Sequence, residues 1–371
     1  MKILETPFLD QEMEGWSLPQ QDLMPTSDDF ILCFMFLEKD SKRAGPILHI
    51  IDKKDFLERF FQQPAPLRLV ICAMAAHFAS PALPEEISNA FYRRARKAVF
   101  RATDTPCIST AQAICLIFVF TRWKGQPMIG WPFLKAAIGM SLDLRLDIDP
   151  DDSPWLGAIS ENKKEERRRL FWACLYILKS EQSLVDDDDL SALELHINRV
   201  KPPAPLEGHY QPFDCFHSLC DSYNKIIKIK RDFRTAPESV KQLLTSPTTH
   251  QRYQNLIGLH QTIPKRFLLI AESSQALEFT DLSRFSQQLS TLSSYETPFL
   301  ICMNLNLLAA ISMIHRPKLF LSSLPSCHPT KISVEAKSQI EKSINQAFDS
   351  ACRIACLTSL LVNATGNTPT Q

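Results

Sequence analysis

Glycine is scarce in this chain, with nine scattered residues in 371. An α/β enzyme built on Gly-rich turns would need more, whereas packed helices do not. Net charge is absent too, since 41 Lys plus Arg balance 41 Asp plus Glu, which argues against a simple DNA-coating surface. The eleven cysteines include no CxxC pair. Cys72, Cys115, Cys174 and Cys302 fall inside apolar helical patterns, as small buried thiols of a reducing compartment do. GxGxxG, GxSxG and HExxH are all missing, which removes the common dinucleotide, hydrolase and zinc-protease signatures. The G-x4-G at Gly125 and Gly130 runs into Trp131 and Pro132 where a phosphate loop needs Lys and Ser/Thr, so it is not a nucleotide loop. Acids occupy the place of a signal peptide's apolar core, and the longest late apolar stretch, 299–314, is broken by Asn304, Asn306 and Ser312. Neither export nor a membrane span is expected.

What is present is helical periodicity, and no long stretch alternates with a period of two. Residues 165–184, EERRRLFWACLYILKSEQSL, set charges directly against the apolar run 170–178. On a helix that run is apolar on every side, the pattern of a helix surrounded by protein. We expect it to be nearly fully buried, with Trp172 packed in the core. The start of this helix is expected to be capped by Asn162, with acids in the first turn and a Glu165–Arg169 pair. Upstream, residues 85–102 carry an apolar face at Phe91, Tyr92, Ala95, Ala98 and Val99. The last helix is marked by Ile340, Ile344, Ala347, Ala351, Ile354 and Leu361. The prolines of 200–213 make an internal break. The fold expected is all-α, a large multi-helix domain of packed antiparallel helices without significant β-sheet.

Candidate chemistry is thin. Asp186 to Asp189 present consecutive carboxylates, which point in different directions and suit a solvated helix end or loop better than one ion. His209, Cys215, His217 and Cys220 are potential zinc ligands, but their spacing matches no common module, and no metal or other cofactor is expected. Basic stripes at Arg93, Arg94, Lys97 and Arg101, and at Lys225, Lys228, Lys230, Arg231 and Arg234, read as solvated helix faces.

Taken in order, several segments resemble the fungal transcription factor regulatory domain, the middle homology region of zinc-cluster regulators. They are GPILHIIDKKDF, PLRLVICAMAAHFA, STAQAICLIFVF, GWPFLKAAIGMSLDLRLDID over 130–149, EERRRLFW and, downstream, MIHRPKLF. The resemblance spans 45–320 and puts signature residues at Glu165, Glu166, Arg167, Arg168, Arg169, Phe171, Trp172, His315, Arg316 and Pro317. It implies structural rather than catalytic roles for them. Gly139 and Arg145 sit where the family often has Arg and Gly, and LKSEQSLVDDDDLS replaces the family's usual text after Ile177.

The implied organisation is an N-terminal, partly ordered arm (1–45), two helical halves of one regulatory domain (46–200 and 201–362) and a mobile tail (363–371). The implied function is a transcription regulator's effector domain without a zinc cluster of its own, since Cys33 and Cys72 are the first cysteines and form no compact array. Its partners would be other transcription regulators or the transcription machinery, with a small-molecule effector or a homodimer as further options. The implied location is nuclear, otherwise cytoplasmic, with no specific DNA binding by this chain alone and no membrane association. The alternative is a helical enzyme or small-molecule-binding protein with no recognised catalytic motif. A terpene-cyclase-like enzyme would need a DDxxD with a second metal motif, and none accompanies 186–189.

Overall fold

The computed structural model describes residues 23–40, 50–102, 104–184, 193, 195, 199–204, 224, 227, 247–263, 265, 268–270, 278–291, 296–315 and 333–365. Among them the regular structure is helical and no strand occurs. The chain divides into two compact units, Met1–Leu178 with Asp188–Pro205 and Lys179–Asp187 with Leu206–Gln371.

The first unit begins with α1 (Ser27–Met35), which lies within the segment expected to be a loose arm. Thr26 and Asp29 form a capping box, each side chain accepting from the other's backbone N–H at 3.1 Å. The helix buries Cys33 against the core, and Phe36 and Leu37 follow it inward. Residues 1–22 and 41–49, like 366–371 of the tail, lie outside the described residues, and the last helix runs to Thr365, into the segment expected to be a mobile tail. After the short α2 (Lys53–Glu58), capped by Asp52, comes α3 (Ala65–Phe78). Every residue from 66 to 76 is buried, Arg68 included, whose guanidinium donates to the carbonyls of Gln63 and Leu23. α3 packs on α1, on α4 (Glu85–Ala102) and on α5 (Ile108–Trp123). Of the apolar face expected on α4, Ala95, Ala98 and Val99 are buried, while Phe91 and Tyr92 are half-buried. α5 is the most enclosed element, with residues 110–121 all buried.

α5 and α6 (Pro127–Asp143) form an antiparallel pair whose turn explains the G-x4-G spacing. Gly125 takes φ +70° and closes α5, its N–H donating to Arg122 O (3.0 Å) while Gln126 N donates to Thr121 O (2.9 Å). Gly130 serves a different need. A Cβ there would lie 2.1 Å from Thr121 Oγ1 and 2.9 Å from Phe118 Cδ2, so the two helices touch backbone to side chain at this point.

α6 ends in the same motif as α5, but with Arg145 at the left-handed position, φ +55°. Arg145 N donates to Leu142 O and Leu146 N to Ser141 O, both at 2.9 Å, and Leu146 is buried beneath. Position 145 is where the family resemblance expects glycine, and Gly139, mid-helix and exposed, is where it expects arginine. A Cβ at 139 meets nothing within 4 Å. Arg145→Gly is therefore expected to raise the unfolding free energy by roughly 1 kcal/mol, by removing the left-handed penalty. Gly139→Ala is expected to add about 0.8–1 kcal/mol through helix propensity. Chemical denaturation of the single and double variants checks both. A destabilised double variant would contradict the assigned geometry.

α7 (Glu161–Leu184) carries the charged-to-apolar stretch. Residues 170–175, 177 and 178 are buried, and Tyr176 is the half-buried exception. Its start differs from the expected one. The helix begins at Glu161, and Ser160 O accepts from the amides of Lys163 and Lys164, so Asn162 lies inside the first turn rather than at the cap. Beyond 178, Ser180, Glu181, Gln182 and Ser183 are also buried despite their polarity.

The second unit contains α8 (Pro247–Thr262), α9 (Phe279–Thr291), α10 (Glu296–His315) and α11 (Val334–Thr365). α10 packs on both α8 and α11. Asn304 holds this arrangement from within α10, donating to Leu300 O and accepting from Leu269 N at 2.7 Å.

Candidate functional site

The sequence signature converges on one buried guanidinium, that of Arg168. It grips Asp149 in two bonds, Nε to Oδ2 at 3.1 Å and Nη2 to Oδ1 at 2.7 Å. It also reaches Asp151 Oδ2 at 2.8 Å and Glu165 Oε1 at 2.5 Å. The fork of a guanidinium matches a carboxylate bidentately, which a lysine cannot do. Arg168 and Asp149 side chains are 6% and 1% exposed, so the pair is shut away from water. This replaces the expected Glu165–Arg169 pair: Glu165 turns to Arg168, three residues on rather than four.

Asp149 does more than neutralise Arg168. Its carboxylate accepts from the backbone N–H of Asp151 (3.0 Å) and of Lys201 (2.8 Å), and its own N–H donates to Arg199 O. Asp151 is held by the ammonium groups of Lys164 and Lys201, both at 2.9 Å. Glu165 Oε2 accepts from Ala204 N at 2.5 Å, and Trp172 Nε1 donates to Lys201 O at 3.0 Å. The start of α7, the turn at 149–153 and the segment 199–204 are thus pinned to one another, largely by charge-assisted hydrogen bonds.

The titration behaviour follows from this geometry. Burial pushes the Asp149 carboxyl up, but the bonds from Arg168 and from the Asp151 and Lys201 amides outweigh it and hold the group below its ordinary value. Hydrogen bonds from Lys201 and then Lys164 hold Asp151 far below the usual carboxylate range. The bond to Asp149 raises Arg168 above its ordinary value.

The other signature residues have distinct places. Glu166 accepts from Gln112 Nε2 at 3.0 Å and from Lys163 at 2.7 Å, and the same Gln112 amide donates to Ile50 O at 2.6 Å. The glutamine of the STAQAICLIFVF segment is therefore tied to the acid of EERRRLFW. Arg167 donates to Leu144 O, beside the α6 cap. Arg169 is buried, and its Nε has no hydrogen-bond partner among the described residues. Burial pushes its pKa down, with Glu165, Asp52 and Glu166 pulling the other way. Phe171 is fully buried and meets Trp172 edge to face at 6.2 Å. His315 is buried in the second unit, edge-on to Tyr253 at 5.4 Å. Arg316 and Pro317 lie outside the described residues, as do Asp186 to Asp189, the His209, Cys215, His217 and Cys220 group, and the basic cluster from Lys225 to Arg234.

Reading the sequence missed Asp149, Asp151 and Lys201 as partners of Arg168. One signal was available: Asp149 precedes Pro150 and caps the next turn, the pattern of a carboxylate that accepts backbone amides. What the Arg168 cluster can do chemically is hold three segments in fixed register. Among the described residues there is no group of three or more His, Cys, Asp or Glu able to hold a metal ion, and no helix long and apolar enough to cross a membrane.

Residues 41–177 match the model of the fungal specific transcription factor domain. Over these residues the chain is similar to that domain. The match ends within α7 and takes in the Arg168 cluster apart from Arg199, Lys201 and Ala204. Two relatives fit this. The TY1 enhancer activator of Saccharomyces cerevisiae is 27% identical over 150 residues, covering 38% of this chain and 19% of that protein. The Zn(2)-C6 fungal-type transcription factor FTF1c of Fusarium oxysporum f. sp. lycopersici is 25% identical over 184 residues, covering 46% of this chain and 19% of that protein. No solved structure matches the chain.

Proposed function

We propose that this chain acts in fungal transcription as a regulatory or effector domain, recruiting other regulators or the transcription machinery rather than catalysing a reaction. The observation that carries the reading is the domain match over 41–177, supported by two relatives whose names are those of an enhancer activator and a transcription factor. The nucleus is the location this reading requires.

The 371 residues hold no compact cysteine cluster, so sequence-specific DNA contact is assigned to a partner or to further chain carrying such a module. Specific readout needs an element that enters a groove and presents side chains to base edges. The basic face of α4 is a poor substitute. Arg93 and Arg101 are exposed, but Arg94 and Lys97 are half-buried, and Arg94 lies 5.3 Å from the Phe91 ring. Such a stripe gives at most sequence-independent phosphate contacts that fade with salt.

Fusion of the chain to an unrelated DNA-binding module is expected to change expression of a reporter carrying that module's site at least several-fold. An unchanged reporter with a folded, nuclear fusion would overturn the regulatory reading. In parallel, titration of the isolated chain against random duplexes near physiological salt is expected to enrich no motif. Recovery of one would show that the chain reads DNA itself.

A further inference from the structure

Two thiols of the first unit meet away from the Arg168 cluster. Cys33 of α1 and Cys72 of α3, 39 residues apart in the chain, are fully buried with their sulfurs in contact at 3.4 Å. A disulfide bond is about 2.05 Å long, so joining them takes about 1.4 Å of sulfur motion between helices that already pack on each other.

The surroundings of the pair are charged. Arg68 lies one helical turn before Cys72 on the same face of α3, and Asp29 one turn before Cys33 on α1. Both are buried. Two nitrogens of the guanidinium donate to the carbonyls of Gln63 and Leu23, whereas its Nε has no hydrogen-bond partner among the described residues. Burial pushes the Arg68 pKa down, and Cys72, then Asp29 and Cys33, pull it back up. A cation held beside a thiol favours the thiolate, which is the nucleophilic form.

While the helices are packed the pair is inert, because burial and then the bond to Cys72 push the Cys33 thiol up. Reaction requires α1 to lift. That helix is nine residues long and presents Ile31, Phe34 and Met35 to solvent, so it opens at lower cost than the core beneath it. A second interacting pair, Cys115 with Cys174, has no such door. It joins the enclosed helices α5 and α7, where residues 110–121 and 170–175 are all buried.

We propose that Cys33 and Cys72 form a modification site, a dithiol that a hydroperoxide converts to a disulfide stapling α1 onto α3. With α1 lifted, the Cys72 thiolate beside Arg68 attacks one peroxide oxygen, the O–O bond breaks, and Cys72 becomes a sulfenic acid. When α1 returns, the Cys33 sulfur attacks that of Cys72, loses its proton and expels hydroxide, which leaves as water. Two thiols and one hydrogen peroxide thus give one disulfide and two waters, with two electrons passing from sulfur to oxygen. None of this depends on the transcriptional reading.

The test uses the full 371-residue chain, reduced, freed of reductant and treated with hydrogen peroxide under native conditions. Remaining thiols are then blocked with N-ethylmaleimide in denaturant and the peptides mapped by mass spectrometry. The expected product is a Cys33–Cys72 linked peptide, two hydrogens lighter than its parts, with Cys115 and Cys174 recovered as blocked thiols. Closing a loop of this length is expected to raise Tm by about 5–10 °C, reversibly with dithiothreitol. Cys72→Ala is expected to remove the link and the rise, and Cys33→Ala to leave a sulfenic acid on Cys72 that dimedone traps. Absence of the link in the unaltered chain, or its formation only after denaturation, overturns the proposal. So does linkage of Cys115 to Cys174 at the same rate, which would mean global unfolding rather than opening of α1. Should either alanine variant fail to fold, the peptide map of the unaltered chain decides the matter alone.

Discussion

Asp149→Ala is expected to lower the unfolding free energy by roughly 3–5 kcal/mol, because removing one partner leaves a buried charge without its bidentate mate. Arg168 would keep Asp151 and Glu165, but two backbone donors, Asp151 N and Lys201 N, would lose their acceptor at once. Asp149→Asn retains an acceptor for those amides and loses only the charge, so its cost should be smaller. Urea denaturation of both variants checks the order. Equal losses would mean that the charge carries the whole effect and the retained acceptor contributes nothing, and a loss below about 1 kcal/mol for alanine would place the pair in contact with water. The same pair sets an acid limit. The folded pKa of Asp149 lies below its ordinary value, so its contribution is complete above about pH 4 and is lost as pH falls through the folded value. Asp149→Asn should flatten that acid limb.

Trp172→Ala is the second large effect, expected at roughly 3–5 kcal/mol. The indole is 3% exposed, stands edge-on to Phe171 and anchors the 199–204 segment through its bond to Lys201 O. Trp172→Phe separates the two contributions. It keeps most of the packing and leaves the carbonyl without its donor, so about 1–3 kcal/mol is expected. Both losses are read from thermal or chemical unfolding. A Trp172→Ala loss below about 1 kcal/mol would put the ring at the surface.

Legibility in the sequence followed the range of the interaction concerned. The burial of 170–178 could be read because a run apolar on all sides has one environment, and α4 because its apolar face recurs with the helical period. α1 was hidden by acidic, Pro-containing surroundings, although its capping box, Thr26 with Asp29, is a three-residue signal. The Arg168 cluster was half visible. EERRRLFW marked the helix, but which acid each arginine takes depends on the approach of residues 149, 151 and 201, and no local spacing encodes that. Glu165 illustrates the point: helical geometry allows both Arg168 and Arg169, and tertiary packing chose Arg168. The burial of the polar run 180–183 was not legible, because composition alone does not reveal what lies around a helix.

Gly130 and Gly139 sit nine residues apart on one helix, and they divide the substitutions open to it. At 139 the space beside the backbone is open, so the helix accepts any ordinary residue there, and a reporter group attached through a cysteine would extend into solvent. At 130 the alphabet has a single letter, because even a methyl group would collide with Thr121, whose hydroxyl is itself spent on Phe118 O. Position 130 thus acts as a register mark for the α5–α6 pair. Sequences that keep the two helices in this alignment must keep it blank, and those that fill it must slide one helix along the other.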